Sequence, residues 1–285
     1  MTDRLREVEA RIGNLRQLSA VITAMRGIAA AHSREAEAQL AGIRTYAATI
    51  GSAIGEALAF LAQQPRTGAE GSANGHLILA LCAEQGFAGT FSERVLDAAA
   101  PLLSQADDRG AELLLVGERG LILTEERALP VGWSAPMAAH SSQVAALADR
   151  IVDALYERIE AGRAARVTVV HARPASAAAF EIATKILIPF DFARFPLPPK
   201  ATAPLITLPP QRLIARLAEE YVFAELCEAL MQSFAAENAA RMQAMIAARA
   251  NIAEKLDGLL GQSRLLRQEE ITNEIIELAG TRSSG

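Results

Sequence analysis

Gln211 to Asp257 runs without a glycine or a proline, and the pair Pro209-Pro210 stands immediately before it. Proline fixes φ near the helical value and has no N–H to forfeit in the first turn, so the pair makes a good helix start. Apolar residues recur at Leu213, Leu217, Leu226, Leu230, Phe234, Met242, Met245, Ile252, Leu256 and Leu259. The spacing mixes threes and fours, and after Gly258 and Gly261 the pattern resumes at Ile271, Ile275 and Leu278. This is the period of a helix with one apolar stripe. At 1.5 Å per residue, roughly fifty residues make a rod about 75 Å long, far beyond the diameter of a compact domain. Such a helix must lie along another one.

The other end of the chain offers a partner of like length. Asp3 to Phe60 contains no proline, and Leu5, Val8, Ile12, Leu15, Leu18, Ile22, Met25 and Ala29 fall on one helical stripe, with Thr2 or Asp3 placed to cap it. Gly13, Gly27, Gly42, Gly51 and Gly55 each cost about 1 kcal/mol relative to Ala in a helix interior, which implies a packed neighbour at close approach. Composition agrees. The chain is 51% hydrophobic but only 5% aromatic, so Ala, Leu, Ile and Val carry the apolar share, and Ala is the strongest helix former. The expectation is a two-helix coiled coil between residues 1–62 and 208–280. Periodicity alone also allows two ordinary helices in a globular bundle; length argues for the coiled coil.

The middle has a different grammar. A Gly/Ser/Ala-rich connector over residues 63–75 leads to an apolar run of strand length, His76 to Leu81. A helix from about Phe91 to Leu103, a strand from Glu112 to Val116, a helix from Ser141 to Ala161, and strands at Arg166–His171 and Phe180–Ile188 follow. Pro196 to Pro199 returns the chain to the last helix. Strands alternating with helices predict an α/β, Rossmann-like domain with a partly parallel sheet over residues 76–200. Residues 281–285 form a polar tail.

Several function classes lose ground at once. A formal net charge of −5 gives no general electrostatic reason to bind nucleic acid or an anionic membrane. No apolar stretch reaches the ~18 residues of a spanning helix, and Met1-Thr2-Asp3-Arg4 leads into a charged segment unlike a signal or transit peptide. Cys82 and Cys227 form no CxxC pair and read as reduced buried thiols. The turn after the first strand, Ala83 to Thr90, holds neither GxGxxG nor a P-loop, and Glu84 would repel a phosphate. His32, His76, His140 and His171 lie in different elements and make a zinc site improbable. Ser134, in Gly-Trp-Ser-Ala-Pro, lacks the second glycine of a nucleophile elbow and reads as loop. Glu125-Glu126, Glu219-Glu220 and Glu269-Glu270 are adjacent in sequence, so their side chains diverge on a helix. No catalytic residue, cofactor or metal site is expected.

Both ends also carry recognisable sequence. Ala10-Arg11-Ile12, Val21-Ile22-Thr23-Ala24-Met25 and Ile28 to Ala31 resemble the N-terminal helix of the gamma subunit of rotary F-type ATP synthases. Ser233-Phe234-Ala235-Ala236-Glu237-Asn238-Ala239-Ala240-Arg241-Met242-Gln243-Ala244-Met245 and Arg267-Gln268-Glu269-Glu270-Ile271-Thr272-Asn273-Glu274-Ile275 resemble that family's C-terminal helix. The resemblance implies a non-catalytic central-stalk rotor that couples ion translocation to ATP synthesis or hydrolysis. Its coiled coil would enter the hexamer of alpha and beta subunits, and its α/β domain would meet the epsilon subunit and the c-subunit ring. It would sit at the cytoplasmic face of a bacterial inner membrane, touching the membrane only through the complex. By motif matching, Arg267, Gln268, Thr272 and Glu274 would face loops of the catalytic subunits, and Met25, Arg241 and Met242 would lie at coupling contacts. Met25 and Met242 read equally well as coiled-coil seam residues.

Three departures from the family pattern stand out. The turn usually written Gly-Leu-Cys-Gly-Gly is Gly86-Phe87-Ala88-Gly89-Thr90, His32 and Thr23 replace expected lysines, and the tip Thr281 to Gly285 is polar. They place the chain on a divergent branch, with an accessory ATPase pumping sodium ions or protons among the options. Two rivals remain open on the residues alone: an enzyme built on the α/β domain, and a self-associating coiled-coil scaffold. Residues 1–34 carry six Arg against Asp3, Glu7 and Glu9, a local basic excess suited to acidic partner surfaces.

Overall fold

The computed structural model describes residues 2–61, 75–104, 110–175, 180–195 and 206–282. The connector expected over 63–75, apart from Gly75, the Pro196–Pro199 return and the tail beyond residue 282 lie outside these. The chain divides into two compact units, one formed by Met1–Ala29 with Arg241–Gly285 and the other by Ala30–Ala240.

Two helices dominate the element list. Helix α1 spans Thr2–Leu61 and α5 spans Pro210–Arg282, so Gly258 and Gly261 do not interrupt the helix. Between them come β1 (His76–Leu81), α2 (Phe91–Ser104), β2 (Ala111–Val116), α3 (Glu118–Glu126), β3 (Val131–Ala135), α4 (Val144–Glu160), β4 (Arg166–Pro174) and β5 (Phe180–Ile188). A 3₁₀ turn at Ser141–Gln143 precedes α4. Helix α3 and strand β3 were not expected, and Ser134 lies in β3, not in a loop. Val-Gly-Trp-Ser-Ala lacks the clean alternation or apolar continuity that marks a strand; it is ordered by pairing with β2.

The five strands form one sheet in the order β3-β2-β1-β4-β5. β1 pairs in parallel with β2 and β4, β2 in parallel with β3, and β5 runs antiparallel to β4. Strands buried on both faces read as continuous apolar runs, which explains Leu77 to Leu81. Alternate side chains serve opposite faces. Leu77, Leu79, Leu81, Leu114, Val116, Val167 and Val169 join a core with α4 and parts of α1 and α5. Ile78, Ala80, Leu113, Leu115, Val170 and Ala172 join a second core with α2 and with Ala236 and Ala240 of α5. Ala36, Ala229 and Ala235 bring the long helices close to the sheet, each almost fully buried.

The helical unit is an antiparallel pair. Leu15, Ile22 and Met25 of α1 pack with Met245, Ala248, Ile252 and Leu256 of α5, and Glu9 accepts a hydrogen bond from Arg267 Nη2 at 2.7 Å. Leu18 departs from the expected buried stripe: at its edge, it is 47% exposed. The glycine expectation also divides. A Cβ at Gly13, Gly27 or Gly42 would meet nothing within 4 Å, whereas one at Gly51 would come 2.9 Å from the Phe195 ring. Close approach within the chain therefore explains Gly51 and not the other three.

Candidate functional site

Two places could carry function: the outer faces of the helical pair and the carboxyl edge of the sheet.

On the pair, Arg267 and Glu274 are seven residues apart and share one side of α5 to within about 20°, while Gln268 and Thr272 lie about 40° apart on another. All four are exposed. Arg267 leans toward α1 and Glu9, and the Thr272 hydroxyl donates to the Gln268 carbonyl at 2.8 Å. The structure thus divides these four between two faces instead of presenting them as one patch. Met25 is a half-buried seam residue against Ile22, Met245 and Ile252. Arg241 is buried and Met242 half-buried. The three acids of the basic N-terminal stretch each meet an arginine: Asp3 with Arg6, Glu7 with Arg11, Glu9 with Arg267.

Sequence reasoning missed another property of this surface. Large apolar side chains stand uncovered on both helices: Leu18, Val21 and Ile28 on α1, and Leu265, Ile271, Ile275 and Ile276 on α5, the last 62% exposed. Scattered exposed apolar residues are ordinary, but grouped ones mark contact surfaces. Their spacing was legible; which side faced outward was not.

At the sheet's carboxyl edge, the order of strands puts the change of crossover direction between β1 and β4, where open α/β sheets bind ligands. Helix α5 fills that position. Ser233 Oγ donates to the Leu81 carbonyl at 3.3 Å, and Ala236 and Ala240 pack beside Ala80 and Cys82. The neighbouring β1–α2 turn is tied down in turn. Ser92 Oγ accepts the Ala83 N–H at 3.1 Å, and one Glu84 oxygen accepts the N–H of Met137 at 2.7 Å and that of Glu118, in the first turn of α3, at 3.2 Å. A helix N-terminus favours an anion; here the chain supplies its own. Gly117, with φ 103°, allows the chain to pass the Cys82 and Ala83 carbonyls where any Cβ would collide. Phe87, at φ 64°, tops the turn with 70% of its surface exposed.

Titratable groups here are set by packing. Burial raises the Cys82 and Cys227 thiols to about 12 each, so neither is a ready thiolate. The hydrogen bond to Glu220 raises the Tyr46 phenol to about 12. Among the described residues, no three or more His, Cys, Asp or Glu are grouped to hold a metal ion, and no helix is long and apolar enough to cross a membrane.

The family described as ATP synthase matches residues 4–284. An ATP synthase gamma chain of Frankia casuarinae is 29% identical over 293 aligned positions, covering 98% of this chain and 97% of its own. One from Rhodospirillum rubrum is 27% identical, covering 96% and 97%. Among solved structures, a chain of the Euglena gracilis mitochondrial ATP synthase OSCP/F1/c-ring superposes with TM-score 0.65 at 14% identity, covering all of this chain and 95% of that one. A chain of the Tetrahymena thermophila mitochondrial ATP synthase central stalk and c-ring gives 0.57 at 20% identity, covering 80% and 99%. At such identities the structural likeness speaks for the fold.

Proposed function

The chain belongs to the gamma-chain family of F-type ATP synthases and is a central-stalk rotor subunit, and we propose that it works as a purely mechanical part whose helical ends engage a hexamer of alpha and beta subunits. It couples ion translocation to ATP synthesis or hydrolysis. Its own residues contribute no catalytic group; the chemistry belongs to the beta subunits. Residues 1–62 and 208–280 form the shaft, and the domain at 76–200 meets the epsilon subunit and the c-subunit ring. The complex sits on the cytoplasmic face of a bacterial inner membrane.

The uncovered apolar side chains on both helices of the pair carry this reading. An isolated helical pair in water keeps such residues in one seam; a pair surrounded by other subunits can present them on its outer faces. A partner biases conformational states only through contacts that differ between those states. Met25, Arg241 and Met242 supply such contacts at one level, and Arg267, Gln268, Thr272 and Glu274 at another.

Purification of the assembled complex through a tag on this chain tests the assignment. The expected result is one copy with several copies of alpha and beta; a homo-oligomer of this chain alone overturns it. The double substitution Arg267→Ala and Gln268→Ala should lower ATP-driven ion pumping in membrane vesicles by about threefold to tenfold, equivalent to about 0.7–1.4 kcal/mol, with helicity unchanged. Unaltered pumping removes both residues from the torque contacts.

A further inference from the structure

A cavity of about 370 Å³ opens in the α/β unit between α1, β4, β5 and α5. Its lining includes His171 of β4, a residue only 4% exposed. The hydrogen bonds fix its tautomer. Gln232 Nε2 donates to Glu228 at 2.9 Å, so Gln232 Oε1 is the acceptor that faces His171 Nε2 at 3.0 Å. The proton therefore resides on Nε2, and Nδ1 is a lone pair with no partner among the described residues. Three cations from three elements line the same space: Arg44, Arg173 and Lys185. Arg44 places Nε on Glu228 at 2.8 Å, and Arg173 places Nε on Glu181 at 2.6 Å. Lys185 pairs with Glu225, which Arg194 also reaches at 3.0 Å. A guanidinium has five N–H donors in all, so both forks retain donors beyond these bonds.

Four cations (Arg44, Arg173, Lys185, Arg194) face three carboxylates (Glu181, Glu225, Glu228), one positive charge in excess within a chain of net charge −5. We infer that this cavity binds a small tetrahedral oxyanion, inorganic phosphate or the phosphate of a small ester, held by Arg44, Arg173 and Lys185, with His171 taking up a proton as it binds. Guanidinium forks match the oxygen spacing of phosphate, and the volume sits at the small end of ligand pockets, roughly 300–1,000 Å³. Burial, Lys185 and Arg173 hold the imidazole neutral, against the pull of Gln232 and Glu228. An anion beside the cations offsets their repulsion and favours the imidazolium.

Calorimetric titration of the purified full chain with sulfate, inorganic phosphate and glycerol phosphate tests the site. Sulfate keeps its charge between pH 6 and pH 8, so its affinity reports on His171. Saturable binding with Kd in about the millimolar range is expected, with sulfate binding at least about fivefold tighter at pH 6 than at pH 8. R44A and R173A should each weaken it by about tenfold, and H171Q should bind with no pH dependence. Glycerol phosphate binding alongside phosphate assigns an ester occupant; its exclusion assigns the free ion. Absence of saturable heat up to about 50 mM, or full affinity in both arginine variants, which would mean an adventitious ion only, overturns the site. pH-independent sulfate binding by the wild-type chain overturns the proton uptake.

Discussion

At the level of single residues, the glycines of α1 divide into two kinds by what surrounds them. Gly13, Gly27 and Gly42 have open space where a Cβ would stand, while Gly51 lies under the Phe195 ring. Replacing any of the first three with Ala should raise the stability of the isolated chain by up to about 1 kcal/mol, read from its urea midpoint. Gly51→Ala should lower it, because Phe195 must shift from its place beside Tyr221, a ring contact with centroids 5.1 Å apart. The first three substitutions carry a second measurement. If the surrounding subunits approach the helix at those positions, the same variants that stabilise the free chain should assemble less well into the complex.

At the level of elements, the α/β unit depends on a polar tie that no pattern announced. Arg158 on α4 is buried, with Nε on Glu112 of β2 at 2.6 Å, Nη1 on the Ala154 carbonyl and Nη2 on the Gly132 carbonyl of β3. One side chain thus joins α4 to two neighbouring strands. Glu112→Ala strands a buried guanidinium and should cost about 3 kcal/mol in urea unfolding; a loss below about 0.5 kcal/mol would show that solvent at Glu112 already screens the pair. Such ties explain the limits of sequence reading here. Long helices, the apolar strands β1 and β2 and the partly parallel sheet follow from period and composition, because their signals are local. β3 and α3 do not, because Val131 to Ala135 becomes a strand only beside β2, and α3 begins where Glu84, far back in the chain, accepts the N–H of its first residue, Glu118. The candidate torque residues were nameable by likeness of sequence and their division over two faces of α5 follows from helical spacing, whereas the lean of Arg267 toward Glu9 needed the orientation of that helix against α1.

At the level of the whole molecule, stability should follow pH through His171. Burial is the main reason its folded-state pKa lies below the ordinary value of 6.5. Above 6.5 the imidazole is neutral folded or unfolded and contributes no slope. Below it the unfolded chain takes up the proton first, so stability falls with pH until the folded-state pKa is reached, by up to about 1.4 kcal/mol per pH unit. Urea midpoints measured between pH 7.5 and pH 5 should show this decline, and H171Q should reduce it, leaving the share of His76, whose pKa burial also lowers. An equal slope in H171Q would assign the dependence to other groups.

The antiparallel pairing of the chain's two ends also governs the order in which the protein can be made. Glu9 meets Arg267, 258 positions away, and Ile22 shares its core with Met245 and Ile252. The first helix therefore leaves the ribosome with an apolar stripe that stays unpaired until almost the whole chain has been synthesised. At roughly 5–20 residues per second, that exposure lasts from over ten seconds to nearly a minute. Closing so long a loop is slow relative to local helix formation. The nascent first helix is thus the segment most open to chaperone capture or mispairing.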